Sequence, residues 1–123
     1  MNTRPLVSVI DDDESVRESL PSLLAGFGLA VRSFSSGEEF LHSDQALQSN
    51  CLVLDITMPG MSGIEVFDRL KSLRRDIPVI FITAHRDERV RSRVLEQGAT
   101  ACLFKPFSGK ALRAAIEEAL KIS

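Results

Sequence analysis

Apolar residues fall along this chain in short runs that alternate with helically spaced stripes. Leu6-Val7-Ser8-Val9-Ile10, Cys51-Leu52-Val53-Leu54 and Pro78-Val79-Ile80-Phe81-Ile82 are nearly unbroken. Runs of this length read as strands buried on both faces, as in a parallel sheet. Ala30-Val31-Arg32-Ser33-Phe34 alternates in part and reads as an edge strand, and Thr100-Ala101-Cys102-Leu103-Phe104 as a fifth strand.

The intervening stretches are helical. Val16, Leu20, Leu23, Leu24 and Phe27 fall on one face of a first helix that starts near Asp13 or Glu14 and ends at Gly26 and Gly28. Pro21 removes a donor inside it and clashes with the Arg17 carbonyl, at a cost of about 3 kcal/mol, so a bend toward solvent is expected there. Ser36 with Glu39, and Ser62 with Glu65, have capping-box spacing for helices two and three. Phe40 and Leu41 belong to the second helix, and Ile64, Phe67, Leu70 and Leu73 line the third. Asp87 caps a fourth helix whose core face is Val90, Val94 and Leu95 and which Gly98 closes. Ser108 caps a fifth, with Leu112, Ala115, Ile116 and Leu120 inward.

Five strand–helix pairs predict an α/β domain with a parallel sheet and helices on both faces. Ligands in such sheets bind beyond the carboxyl ends of the strands. Strand one ends in Asp11-Asp12-Asp13, strand three in Asp55, strand four in Thr83 and strand five at Lys105. Strand two ends in Phe34 and offers nothing. A carboxylate that ends a buried strand needs a compensating partner, and parallel strands bring these residues to one rim.

Composition narrows the classes. A chain of 123 residues suits one domain over 1–123. A net charge of −2 gives no prior for nucleic-acid or membrane contact by this segment. There is no apolar run long enough to cross a bilayer and no signal-peptide pattern, so a cytoplasmic protein is expected. Cys51 and Cys102 lie in apolar runs without a second cysteine or a histidine at ligand spacing, and read as reduced core thiols.

Crowded carboxylates at Asp11, Asp12 and Asp55 would repel unless a divalent cation intervened, and oxygen-only ligands favour Mg²⁺ or Mn²⁺. Lys105 as a point charge and Thr83 as a hydroxyl donor suit the oxygens of a phosphoryl group. Asp55, alone at the end of a central strand, is the nucleophile that could form an aspartyl phosphate. Each residue alone has a plainer reading: Asp13 as a helix cap, Thr83 as a strand-end hydroxyl, Lys105 as a solvated lysine. Complementary chemistry at four separate strand ends outweighs those readings.

Val9-Ile10-Asp11-Asp12, Leu54-Asp55-Ile56-Thr57-Met58-Pro59-Gly60-Met61-Ser62-Gly63, Ile82-Thr83-Ala84 and Lys105-Pro106-Phe107 resemble the receiver domain of bacterial two-component response regulators. Thr83-Ala84-His85 and Lys105-Pro106-Phe107 look closest to the FixJ type of transcription regulator. The resemblance implies a flavodoxin-like (βα)5 three-layer sandwich with strand order 2-1-3-4-5. It implies a phosphorylation-dependent switch, not a turnover enzyme, in which Asp55 accepts phosphate from a histidine kinase. Asp11, Asp12, Asp55 and the Thr57 carbonyl would hold Mg²⁺, and Thr83, Lys105 and the Ala84 amide would contact the phosphoryl group. The Lys105-Pro106 bond would be cis. Signalling would pass through helix four, strand five and helix five, where a homodimer could form, toward transcription control. This segment would not itself contact nucleic acid, and the chain is either a whole regulator or the N-terminal part of a longer one.

One position departs from the family pattern. Cys102 stands three before the lysine, where an aromatic that moves with the threonine is usual, and Phe104 is expected to point to the opposite face of the strand. His85 is either a solvated loop residue or a group that tunes acyl-phosphate lifetime. Arg86, Arg89, Arg91 and Arg93 form a solvated face or part of a partner surface. Two other classes compete. One is a Mg²⁺-dependent haloacid-dehalogenase-type phosphatase using Asp11 within Asp11-Asp12-Asp13. The other is a receiver-like binding module that is never phosphorylated.

Overall fold

The five apolar runs are five parallel strands of one sheet, β1 (Leu6–Ile10), β2 (Ala30–Phe34), β3 (Cys51–Asp55), β4 (Val79–Thr83) and β5 (Ala101–Phe104). A computed structural model describes residues 4–121. The strand order is β2-β1-β3-β4-β5, which puts β2 at an edge and β3 at the centre. Every residue of β3 and of β4 is buried, as unbroken apolar runs require.

The helices are α1 (Glu14–Gly26), α2 (Gly37–Leu41), α3 (Gly63–Ser72), α4 (Glu88–Glu96) and α5 (Gly109–Leu120). Their starts are fixed locally. Asp13, Ser36, Ser62, Asp87 and Ser108 each accept a backbone N–H of the first helical turn, a contact worth about 1 kcal/mol at such positions. The box at Ser62 and Glu65 is closed in both directions. That at Ser36 is not. The Glu39 carboxylate reaches one residue further back and accepts the Ser35 N–H at 3.0 Å. A single 3₁₀ turn, Ala46–Gln48, follows α2 and carries no sequence signal. Its Ser49 closes a buried hydroxyl pair with Ser8 at 2.7 Å.

Alternate strand positions feed two apolar layers. Val7, Val9, Cys51, Val53, Ile80 and Ile82 pack with Leu20 and Leu24 of α1 and Leu112, Ala115 and Ile116 of α5. Ile10, Leu52, Leu54, Phe81 and Cys102 pack on the other side with Phe40, Val66, Phe67, Leu70 and Val94. The helix stripes are narrower than their apolar spacing suggests. Leu23, Leu73 and Leu95 are exposed, while Val66 and Ala119 turn inward. α1 runs through Pro21 as one helix. Both cysteines are free and buried, and burial pushes the Cys51 thiol up to about 12, so it stays protonated.

Candidate functional site

The sheet order places the carboxyl ends of β1 and β3 side by side, with β4 next to β3. Asp11 follows β1 and is fully buried. Its N–H donates to the Phe34 carbonyl at 3.1 Å, its Oδ1 accepts the Asp13 N–H at 2.9 Å, and its Oδ2 accepts Lys105 Nζ at 2.9 Å. Asp12 is exposed. Asp13 is the cap of α1, its Oδ1 accepting the Ser15 N–H, and so takes the plainer of its two readings.

Asp55 ends β3 with 5% of its surface exposed. One carboxylate oxygen from each of Asp11, Asp12 and Asp55 lies within 4.8 Å of the other two. Burial first, and the Asp11 carboxylate second, push the Asp55 carboxyl up to about 7, against a downward pull from Lys105 and the Thr57 backbone. Lys105 Nζ stands 3.9 Å from Asp55 Oδ1, so the lysine favours Asp11 over Asp55. The Lys105-Pro106 peptide is cis. Thr57, in the loop after β3, is exposed.

Thr83 closes β4 and is buried. Its Oγ1 accepts the His85 N–H at 3.1 Å, which leaves its own hydroxyl proton free to donate. Ala84 follows at once and is exposed, at the same rim as Asp55. Gly63, at the start of α3, makes this rim compact. A Cβ there would lie 2.2 Å from the Asp55 carbonyl oxygen. The bare backbone instead lets the Gly63 N–H donate to the Ile56 carbonyl at 2.8 Å.

Phe104 corrects an expectation. Thr83 pairs with Phe104 in the β4–β5 register, and Phe81 with Cys102. Residues two apart on a strand share a face, so Phe104 lies on the same side as Cys102 and not opposite it. Ala101 and Leu103 take the other face. The Phe104 ring lies under two guanidinium groups, Arg91 at 5.4 Å and Arg86 at 5.8 Å from its centre. Two of the four arginines around α4 therefore cover an aromatic ring beside Thr83.

The structure thus brings Asp11, Asp12, Asp55 and Lys105 into one cluster, with Thr83 and Ala84 on the neighbouring strand end. Sequence reasoning missed Arg17. Its Nη1 donates to the Asp11 carbonyl at 2.9 Å, and an arginine in a first helical turn gives no signal of that. The donor set of the cluster is oxygen only, which fits a hard cation such as Mg²⁺.

Residues 7–117 match the response regulator receiver domain family. The response regulator protein TodT of Pseudomonas putida is 40% identical over 118 residues, covering 96% of this chain and 52% of its own length. The transcriptional regulatory protein FixJ of Bradyrhizobium diazoefficiens is 36% identical over 121 residues, covering 98% and 59%. The chain spans about half the length of the curated relatives it matches. The crystal structure of FixJ-N superposes with a TM-score of 0.87 at 36% identity, covering 98% of this chain and 96% of that one.

Proposed function

Because the chain belongs to the response regulator receiver domain family, we propose that it is a phosphorylation-dependent switch whose phosphoacceptor is Asp55. The observation that carries the assignment is the buried strand-end carboxylate of Asp55, clustered with Asp11 and Asp12 and within reach of Lys105.

In this reading Asp55 Oδ attacks the phosphorus of a phosphodonor in line, the P–O bond forms, and the donor's leaving group departs with its electron pair. The donor class is a phosphohistidine of a sensor kinase, or a small acyl phosphate. Lys105 swings from Asp11 to pair with the phosphoryl oxygens. The Thr83 hydroxyl proton and the Ala84 N–H serve as further donors to it. Asp11, Asp12, Asp55 and the Thr57 carbonyl would hold Mg²⁺, or Mn²⁺. When bound, the ion offsets the mutual repulsion of the carboxylates and favours the ionised, nucleophilic form of Asp55.

The relatives TodT and FixJ are named as regulators, which supports a role in transcription control; the proposal sets that role in the cytoplasm. Among the described residues no helix is long and apolar enough to cross a membrane. A homodimer through α4, β5 and α5, and an output domain that contacts DNA in place of this one, complete the proposal. The phosphatase alternative has no support. The family match spans 7–117, Asp13 is committed to its cap, and β4 ends in Thr83-Ala84 where that chemistry needs an acidic pair.

The test is intact mass after incubation with acetyl phosphate and Mg²⁺. The wild type gains one phosphoryl group and Asp55→Asn gains none. Equal uptake by Asp55→Asn would sink the assignment.

A further inference from the structure

The three clustered carboxylates are not held alike. Asp55 belongs to a buried strand end. Asp11 is buried and bonded through its N–H and both carboxylate oxygens. Asp12 is exposed, and among the described residues its carboxylate makes no hydrogen bond, so its place is set by the backbone on either side of it.

That backbone is gripped by Arg17. The Asp11 carbonyl and the Asp12 N–H are the two ends of one planar peptide unit. Arg17 Nη1 donates to that carbonyl at 2.9 Å, across six residues. Its own helix start is fixed, since the Val16 and Arg17 N–H groups donate to the Asp13 carbonyl at 3.1 and 3.2 Å. The Asp11–Asp12 peptide is therefore anchored by β1 on one side and by α1 on the other. Among the described residues Arg17 makes no ion pair within 4.0 Å. An arginine beside an acidic cluster thus binds a carbonyl and leaves the carboxylates free. Its planar, rigid fork suits such a hold better than a flexible ammonium.

We infer that Arg17 is a positioning residue for Asp12: by fixing the Asp11–Asp12 peptide plane it sets the Asp12 carboxylate for a divalent cation. This rests on the cluster being a cation site, as proposed above. Outer groups that orient metal ligands commonly affect affinity at least tenfold.

Charge and position make opposite forecasts. Removing a cation near three carboxylates should, by charge alone, strengthen Mg²⁺ binding. Losing the hold on the peptide should weaken it. The experiment is calorimetric titration of Mg²⁺ into metal-free wild type, Arg17→Ala, Arg17→Lys, Asp12→Asn and the double variant Arg17→Ala/Asp12→Asn. Arg17→Ala is expected to bind about tenfold more weakly, with Arg17→Lys between it and the wild type. In the Asp12→Asn background the same change should have little effect, which a merely structural role would not produce. Circular dichroism in EDTA checks the fold, and Arg17→Lys carries the comparison should Arg17→Ala be unfolded. Unchanged or tighter binding by the folded Arg17 variants overturns the inference, as does an equal loss with and without Asp12. A wild type that takes up no Mg²⁺ overturns the site reading itself, and this inference with it.

Discussion

Asp55 is a carboxylate in an unfavourable place, and its titration has a consequence for stability. Burial and the neighbouring Asp11 raise its pKa from 3.8 to about 7. The folded state then binds a proton that the unfolded state has released, between those two values. The stabilising contribution of the protonated form is complete below the unfolded value and is lost as pH rises through about 7. Without divalent cation, Asp55→Asn should be more stable than the wild type at pH 8, by on the order of 2–4 kcal/mol, and the gap should shrink toward pH 4. Urea denaturation in EDTA at both pH values measures it. A gap that widens toward acid would contradict the raised pKa. In the reaction proposed for Asp55 the ionised form is the nucleophile, so the environment that destabilises this carboxylate is the one a bound cation would offset.

At the scale of the elements, two contacts tie helices to the site. α3 starts directly against the backbone of Asp55, and only a glycine fits there. Gly63→Ala should destabilise the fold by about 3 kcal/mol, since the intruding methyl meets backbone that cannot yield. Gly26→Ala, where an added Cβ meets nothing within 4 Å, should be neutral or stabilising by about 0.5–1 kcal/mol. Chemical denaturation of both variants decides the contrast. β5 carries the second contact. Phe104 flanks Thr83 and lies beneath Arg86 and Arg91. The chain has no Trp or Tyr, so Phe104→Trp supplies a single fluorophore. Its emission should shift when acetyl phosphate and Mg²⁺ are added, and Thr83→Ala should remove the shift. A silent tryptophan at 104 in protein that mass spectrometry shows to be phosphorylated on Asp55 would separate Phe104 from the response.

For the whole molecule, the site exists because the strand order brings four strand ends to one rim. Its residues come from distant parts of the chain: Lys105 and Asp11, joined at 2.9 Å, are 94 positions apart. Divalent cation binding to the native state alone should therefore stabilise the entire domain. At a hundredfold excess over its Kd, Mg²⁺ should add about 2.7 kcal/mol to the unfolding free energy. Asp12→Asn should lose most of that gain while its stability in EDTA stays near that of the wild type. Thermal melts with and without Mg²⁺ give both numbers.

Much of this was legible along the chain. The bounds of β1, β2 and β3, the five caps, and the rim residues Asp11, Asp12, Asp55, Thr83 and Lys105 could all be read from local pattern. Strand burial and helix capping are local physics: a period, a turn, a side chain reaching its own backbone. The exposure of Leu23, Leu73 and Leu95 was not legible, because a stripe tells which side faces inward but not how far the neighbouring layer extends. Nor was the open box at Ser36, where Glu39 found the Ser35 N–H instead. The side of β5 that Phe104 takes follows from period-two alternation alone, and its pairing with Thr83 from the sheet register. The sequence by itself determined which residues end each strand, and hence the chemistry of the rim. Only the tertiary structure decided which groups meet there. Lys105 on Asp11 and Arg17 on the Asp11 carbonyl are long-range choices among competing partners. Strand order and side-chain reach settle them, and neither is written in any local pattern.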